Sequence, residues 1–156
     1  MIRIDIPGLG KLELKHLVLD YNGTLACDGI LLDGVAQRLE QLKNQLEIHV
    51  VTADTFGTVA EQLEHVTCAV HVLERDQQDV AKLRYVERLG ATHTVCIGNG
   101  RNDRRMLAAA ALGIAIVQEE GLASVTWQAA DVIMPTIIAA LDLLLKPNRL
   151  VATLRI

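Results

Sequence analysis

Four short stretches end in side chains that could handle a phosphoryl group. The apolar run of LVLDYNGTL, residues 17–25, stops at the carboxylate of Asp20 and passes into a polar turn with Asn22, Gly23 and Thr24. HVVT, residues 49–52, stops at the hydroxyl of Thr52, next to Ala53. Lys82 opens the helical pattern that precedes TVCIG, residues 94–98, and TVCIG runs into GNGRND with Asn99 and Asp103. A carboxylate can attack phosphorus and form an aspartyl-phosphate. A lysine ammonium and a threonine hydroxyl can hold the phosphoryl oxygens. Mg²⁺ held by carboxylate and carbonyl oxygens would offset the charge between anionic nucleophile and anionic substrate.

Each residue alone has a plainer explanation. Asp at a strand end is commonly a turn or cap residue, and Asn-Gly is a common hairpin turn. Threonine is a strand former, an isolated lysine is usually solvated, and GNGRND is rich in turn residues. Their order, each at the same end of its element, is what coincidence does not supply.

The elements that must position them follow from hydrophobic periodicity. Residues 2–6 alternate apolar and polar, PGLG turns, and KLEL alternates again, which predicts a β-hairpin over 1–15. HLVLD is a short apolar strand without alternation, as expected when both faces are covered. Val35, Leu39, Leu42 and Leu46 give an amphipathic helix. IHVVT (48–52), AVHVL (69–73) and TVCIG read as strands, with a short helix at Val59 and Leu63. A further helix carries Val80, Leu83, Val86 and Leu89 and stops at Gly90. A helix through Met106 and Leu107, the strands GIAIV and DVIM, and a helix opened by Pro135 with Ile138, Leu141 and Leu145 complete the pattern. Leu150, Val151 and Leu154 after Pro147 are spaced as a helix that packs on the domain or forms a subunit contact. The alternation predicts an α/β fold of three layers, Rossmann-like, with a parallel central sheet: one domain over 1–156, with a core over 16–134 and a helical segment over 135–156. In such sheets ligands bind beyond the carboxyl ends of the strands, where Asp20, Thr52 and Asn99 fall.

Composition narrows the function. The chain has 156 residues, 51% of them hydrophobic, enough for a substantial core. Aromatics are 3% and the formal charge is −4, with no Lys/Arg run, which argues against a nucleic-acid partner. Cys27, Cys68 and Cys96 show no CxxC spacing and read as reduced thiols. The longest apolar run, MLAAAALGIAIV (106–117), is too short to span a membrane, and the N-terminus lacks a signal-peptide profile. A cytoplasmic protein with no membrane association is expected. His49, inside an apolar strand, reads as a satisfied core histidine rather than a ligand.

Taken together, the motifs resemble those of the haloacid dehalogenase-like (HAD) superfamily of aspartyl-phosphate enzymes. Its Asp-x-Asp-Gly-Thr-Leu motif appears as DYNGTL, its strand ending in Thr or Ser as HVVTAD, its lysine as Lys82, and its Gly-Asp-Gly-x-Asn-Asp as GNGRND. LGIAIV and AADVIM, with EEG between, resemble the phosphorylation domain of P-type ATPases, and the likeness runs from about 16 to 134. The chain looks like a soluble member of that group. The resemblance implies Asp20 as nucleophile, with Asn22, Thr52 and Lys82 completing the catalytic set. It implies phosphate binding by Asp20, Gly23, Thr24, Thr52, Ala53 and Lys82, and Mg²⁺ held by Asp20, Asn22, Asn99 and Asp103. Cap domains of the superfamily are inserted between the first and second motifs or between the second and third. Here those segments are already used by predicted helices and a strand, so no cap is expected and the site is open or covered by a neighbouring subunit.

Two acids of the family pattern are amides. Asn22 stands where a carboxyl normally protonates the leaving group and then activates water. Such help is worth about 10²–10⁴-fold, so hydrolysis is expected to be slow. P-type ATPases carry Thr there and form long-lived phosphoenzymes. Asn99 replaces a direct metal ligand with a neutral oxygen, which implies weaker Mg²⁺ binding. Both amides precede Gly and are prone to deamidation. Two functions fit: a Mg²⁺-dependent phosphohydrolase or phosphotransferase acting on a phosphorylated small molecule or phosphoprotein, or a phosphate-binding regulatory pseudoenzyme. Either could be a homo-oligomer. The nucleotide-binding insert of the ATPases is absent, which argues against ATP. A receiver domain, which would need an acidic pair after its first strand, does not fit.

Overall fold

The computed structural model describes residues 1–53, 58–74 and 76–156. The chain opens with β1 (Ile2–Ile6) and β2 (Gly10–Leu14), paired antiparallel with Ile2 opposite Leu14 and Ile6 opposite Gly10. Alternation does the work expected of it: Ile2, Ile4, Ile6 and Leu14 are buried, while Arg3 and Asp5 point to solvent. β3 (His16–Asp20) then enters the main sheet, followed by a ribbon of two short strands, β4 (Ala26–Cys27) and β5 (Ile30–Leu31). Next come α1 (Val35–Leu42), β6 (Glu47–Thr52), α2 (Thr58–Gln62), β7 (Ala69–Val72) and α3 (Gln78–Leu89). β8 (Thr94–Gly98), α4 (Arg104–Ala109), β9 (Leu112–Ile116), α5 (Ser124–Trp127) and β10 (Val132–Met134) follow. The chain closes with α6 (Ile137–Leu145) and α7 (Asn148–Leu154).

Six parallel strands form the main sheet in the order β10-β9-β8-β3-β6-β7. The chain builds outward from β3 through β6 to β7, then returns to the other side of β3 for β8, β9 and β10. β3 is therefore the topological switch point, where the connections on its two sides diverge and leave a crevice at the strand ends.

Both faces of the sheet are covered, which is why its strands read as unbroken apolar runs. Leu17 and Leu19 pack with Leu39 and Leu42 of α1 and with Leu141 and Leu144 of α6. The buried isoleucines of the N-terminal ribbon and Leu150 of α7 extend that same cluster. On the opposite face Val18, Val51, Cys96 and Ala115 meet Tyr85 and Val86 of α3 and Met106 and Leu107 of α4. The expected three-layer α/β architecture is present, and among the described residues there is no cap domain.

Some local readings need correction. α6 begins at Ile137 rather than at Pro135, because the Thr136 hydroxyl accepts the Ala139 N–H at 3.2 Å and caps the first turn. Lys82 lies in the second turn of α3, which starts at Gln78, and does not open it. The β4–β5 ribbon and α5 were not anticipated, since elements of two to four residues leave little periodicity to read. No helix of the described residues is long and apolar enough to cross a membrane.

Gly113 marks a close approach of the sheet to α4. A Cβ there would stand 2.5 Å from the backbone oxygen of Leu107, an atom that cannot swing aside. Gly113→Ala is expected to cost about 1–3 kcal/mol in urea unfolding, the range for overpacking a filled core. A change near zero would mean that α4 can move off the sheet freely.

Candidate active site

β3 delivers Asp20 to the crevice, with only 7% of its surface exposed. Behind it, α3 projects Lys82 through the second core, and the ammonium donates to Asp20 Oδ1 and to Asp103 Oδ1, each at 2.6 Å. Asp103 stands just before α4 and is fully buried. Its other oxygen, Oδ2, accepts the N–H groups of Asn99 at 3.0 Å and Gly100 at 2.8 Å. One carboxylate thus clamps the loop after β8 and shares the lysine with Asp20. A Cβ at Gly98 would fall 2.5 Å from Asp103 Cγ, so the strand end admits the carboxylate only beside a glycine.

The turn after β3 is tied from inside. The N–H groups of Thr24, Leu25 and Ala26 all point at the Tyr21 carbonyl, at 3.1, 2.8 and 3.0 Å. Gly23 sits at φ +75°, and a Cβ there would meet the Asn99 amide nitrogen at 2.5 Å, so both the backbone conformation and the space require glycine. The Thr24 hydroxyl lies 3.2 Å from Asp20 Oδ2 and 3.2 Å from Asn99 Oδ1. It carries one proton and can donate to only one of them at a time. Asn99 is also held at its other end, where Nδ2 donates to the Gly121 carbonyl at 2.9 Å.

Sequence reasoning missed Gln118, the residue after the apolar run GIAIV. Its amide donates to the carbonyls of Gly23 and Thr24, at 2.9 and 2.7 Å, and accepts the Ile137 N–H at 3.0 Å. It joins the turn after β3 to the start of α6. The strand-end rule that singled out Asp20 and Thr52 points to Gln118 as well.

A cavity of about 590 Å³ opens over this end of the sheet. Asp20, Asn22, Thr52, Ala53 and Asn99 line it, joined by Gln78, Asn102 and Glu120, which the sequence did not single out. Gly23, Thr24, Lys82 and Asp103 are buried and not part of its lining. Asp54, the last residue of HVVTAD, lies outside the described residues. Glu120 is exposed, and its carboxylate accepts the Asp28 N–H at 2.9 Å, joining the β4–β5 ribbon to the loop after β9.

The buried charges are two carboxylates and one ammonium, a net of −1. Burial alone would lower Lys82, but Asp20 and Asp103 override it and hold the ammonium above its ordinary value. Burial, and then the neighbouring Asp20, pushes Asp103 up to about 6, against the pull of Lys82. The set places a net negative charge at the floor of a cavity that Asp20 lines.

No protein-family model matches the chain. An uncharacterised protein of Methanocaldococcus jannaschii, MJ0073, is 42% identical over 82 residues, which cover 50% of this chain and 88% of that protein. Among solved structures, the 3-deoxy-D-manno-octulosonate 8-phosphate phosphatase of Moraxella catarrhalis, in complex with magnesium, phosphate and its sugar, superposes with a TM-score of 0.70. It is 17% identical, and the likeness covers 91% of this chain and 94% of that one. The cobalt-bound phosphatase of the same name from Haemophilus influenzae gives a TM-score of 0.71 at 14% identity, covering 86% and 88%. At these identities the likeness is one of fold, that of the HAD phosphatases.

The raised Asp103 has a consequence for stability. Its folded value of about 6 exceeds the 3.8 of an ordinary aspartate, so the folded chain keeps this proton longer than the unfolded chain does. The resulting stabilisation is complete below about pH 4 and is lost as pH rises through about 6. In metal-free buffer the unfolding free energy of the natural protein, relative to Asp103→Asn, is expected to fall between pH 4 and pH 7. A pH-independent difference would show that Asp103 titrates alike in both states.

Proposed function

From a chain that belongs to the family of the Methanocaldococcus jannaschii protein MJ0073 and has the HAD-like fold, we infer a Mg²⁺-dependent phosphohydrolase or phosphotransferase that works through an aspartyl-phosphate on Asp20. The observation that carries this reading is the Lys82 ammonium bridging Asp20 and Asp103 at 2.6 Å each. It holds the carboxylate of Asp20 in place at a cavity that Asp20 lines, as a nucleophile requires.

The donor set fits magnesium. It is made of hard oxygens: the Asp20 carboxylate, the backbone carbonyl of Asn22 and the amide oxygen of Asn99, beside a buried cluster whose net charge of −1 favours a cation. When bound, magnesium offsets the charge between the nucleophile and the phosphoryl group. Asp103, with both oxygens hydrogen-bonded, serves by positioning Lys82 and the Asn99–Gly100 backbone. Thr52 and Ala53 line the wall against which the phosphoryl oxygens would rest.

In the first step an Asp20 oxygen bonds to phosphorus as the bond to the leaving oxygen breaks. That oxygen departs with the electron pair and takes its proton from solvent, since Asn22 has none to give. In the second step water attacks phosphorus, the Asp20 oxygen leaves, and the water proton passes to solvent. Both proton transfers lack the carboxyl that would speed them, so the phosphoenzyme persists. The cavity of about 590 Å³ falls within the usual range of about 300–1,000 Å³ for small ligands, which supports a phosphorylated small molecule as substrate. The structural relatives named for an octulosonate 8-phosphate act on a substrate of that size class.

The second reading, a phosphate-binding regulatory module, is favoured by one observation. Asn99, which would have to turn an oxygen to the metal, is committed to Thr24 on one side and Gly121 on the other.

Acid-quenched intact mass of fresh protein, incubated with Mg²⁺ and a small activated phosphate donor, separates the two readings. The natural chain is expected to gain one phosphoryl group, Asp20→Asn none, and chelation of the metal to abolish the gain. Asn22→Asp should accelerate decay of the adduct by about 10²–10⁴-fold. No adduct across donors and Mg²⁺ concentrations would leave the regulatory module in possession of the fold.

A further inference from the structure

At the opposite end of the same two strands lies a second cluster with its own chemistry. The parallel register sets His16 of β3 directly beside Glu47 of β6, on one face of the sheet. His49 follows Glu47 by two residues, so strand alternation returns it to that face. His16 Nδ1 is 3.2 Å from Glu47 Oε2 and 3.4 Å from His49 Nε2, and the three ligand atoms all lie within 4.8 Å of one another.

The two shorter separations, 3.2 and 3.4 Å from His16 Nδ1, match edges of a coordination tetrahedron. With metal–nitrogen bonds of about 2.0–2.1 Å, neighbouring ligand atoms of a tetrahedral zinc stand about 3.3–3.4 Å apart. A hydrogen bond at His16 Nδ1 serves Glu47 or His49 but not both, whereas one cation could be held by all three atoms. We propose that His16 Nδ1, His49 Nε2 and Glu47 Oε2 form a site for a divalent transition metal of the zinc class, its fourth position open to water.

The surroundings are those of a metal site. His49 is 8% exposed, and its other ring nitrogen, Nδ1, lies 2.9 Å from the Tyr85 hydroxyl, which fixes the ring so that Nε2 faces His16. A cavity of about 320 Å³ reaches His16 and Glu47 from solvent and gives an ion a way in. Two imidazoles and one carboxylate select zinc, cobalt, nickel or copper over magnesium, whose ligands are oxygens. The site is thus distinct in ligand chemistry, as well as in place, from the oxygen-lined crevice at Asp20, and it does not depend on the reading of that crevice.

Cobalt titration of the full chain tests it. Chelator-stripped protein in excess Mg²⁺ should develop, at one equivalent of Co²⁺, the intense visible bands of a four-coordinate site with nitrogen ligands, and Zn²⁺ should bleach them stoichiometrically. Glu47→Gln and His16→Gln alter residues that are exposed or half-buried and should leave the circular dichroism spectrum unchanged, yet weaken Co²⁺ binding at least about tenfold. Tyr85→Phe should weaken it by about 10–100-fold, the usual effect of losing an outer partner. Asp20→Asn and Cys27→Ser should leave the bands as they are. The proposal is overturned if no intense band forms, if the bands survive in Glu47→Gln and His16→Gln, or if Asp20→Asn or Cys27→Ser removes them.

Discussion

One buried ammonium organises the crevice end of the molecule. Lys82 lies 2.6 Å from a carboxylate on each side, with 1% of its surface exposed. Removing one member of such a buried set leaves another charge without a partner, which typically costs about 3–5 kcal/mol. The elements around it are therefore bound to one another through charge as well as through apolar contact. α3 carries the lysine, β3 carries Asp20, and the segment after β8 carries Asp103. Because Asp103 also takes the N–H groups of Asn99 and Gly100, the same interaction shapes the loop on the far side of the cavity.

The fold brings these charges together because β3 is the strand at which the sheet changes direction. Its neighbours β6 and β8 end on either side of Asp20, so Thr52 and Asn99 flank it whatever the details of the loops. Gln118 and the segment around Gly121 then brace the two loops from the side of β9. Asn99 is reinforced from the same direction, its carbonyl accepting the Ala123 N–H at 3.0 Å.

Much of this was legible in the sequence, for a physical reason. Strands buried on both faces appear as unbroken apolar runs, so their carboxyl ends, and the polar residues placed there, can be read directly. What could not be read is depth. Thr24, Lys82 and Asp103 carry the same motif signal as Asp20 and Asn99, yet they lie behind the cavity and hold it in shape. The His16–Glu47–His49 cluster was hidden for another reason. His49 alone reads as a satisfied core histidine, and Tyr85 does satisfy one of its nitrogens. Its second nitrogen meets His16 only through the β3–β6 register, a pairing that no pattern within a single strand reports.

The charge at the crevice bears on the amides that break the family pattern. With carboxylates at positions 22 and 99 the site would confront an anionic phosphoryl group with two more negative charges, and magnesium would have to offset them all. Asn22 and Asn99 remove both. On the proposed reading, the approach of a phosphoryl group then meets less repulsion and the metal is held less tightly. On that reading the attack by Asp20 keeps its apparatus, since Lys82 and Thr24 still reach its carboxylate and Asp103 still holds Lys82. The cost falls on the step that needs a base for water. On the proposed reading, a site altered in this way favours forming an aspartyl-phosphate over destroying it, and this asymmetry makes the lifetime of the adduct, more than its formation, the property that position 22 would control.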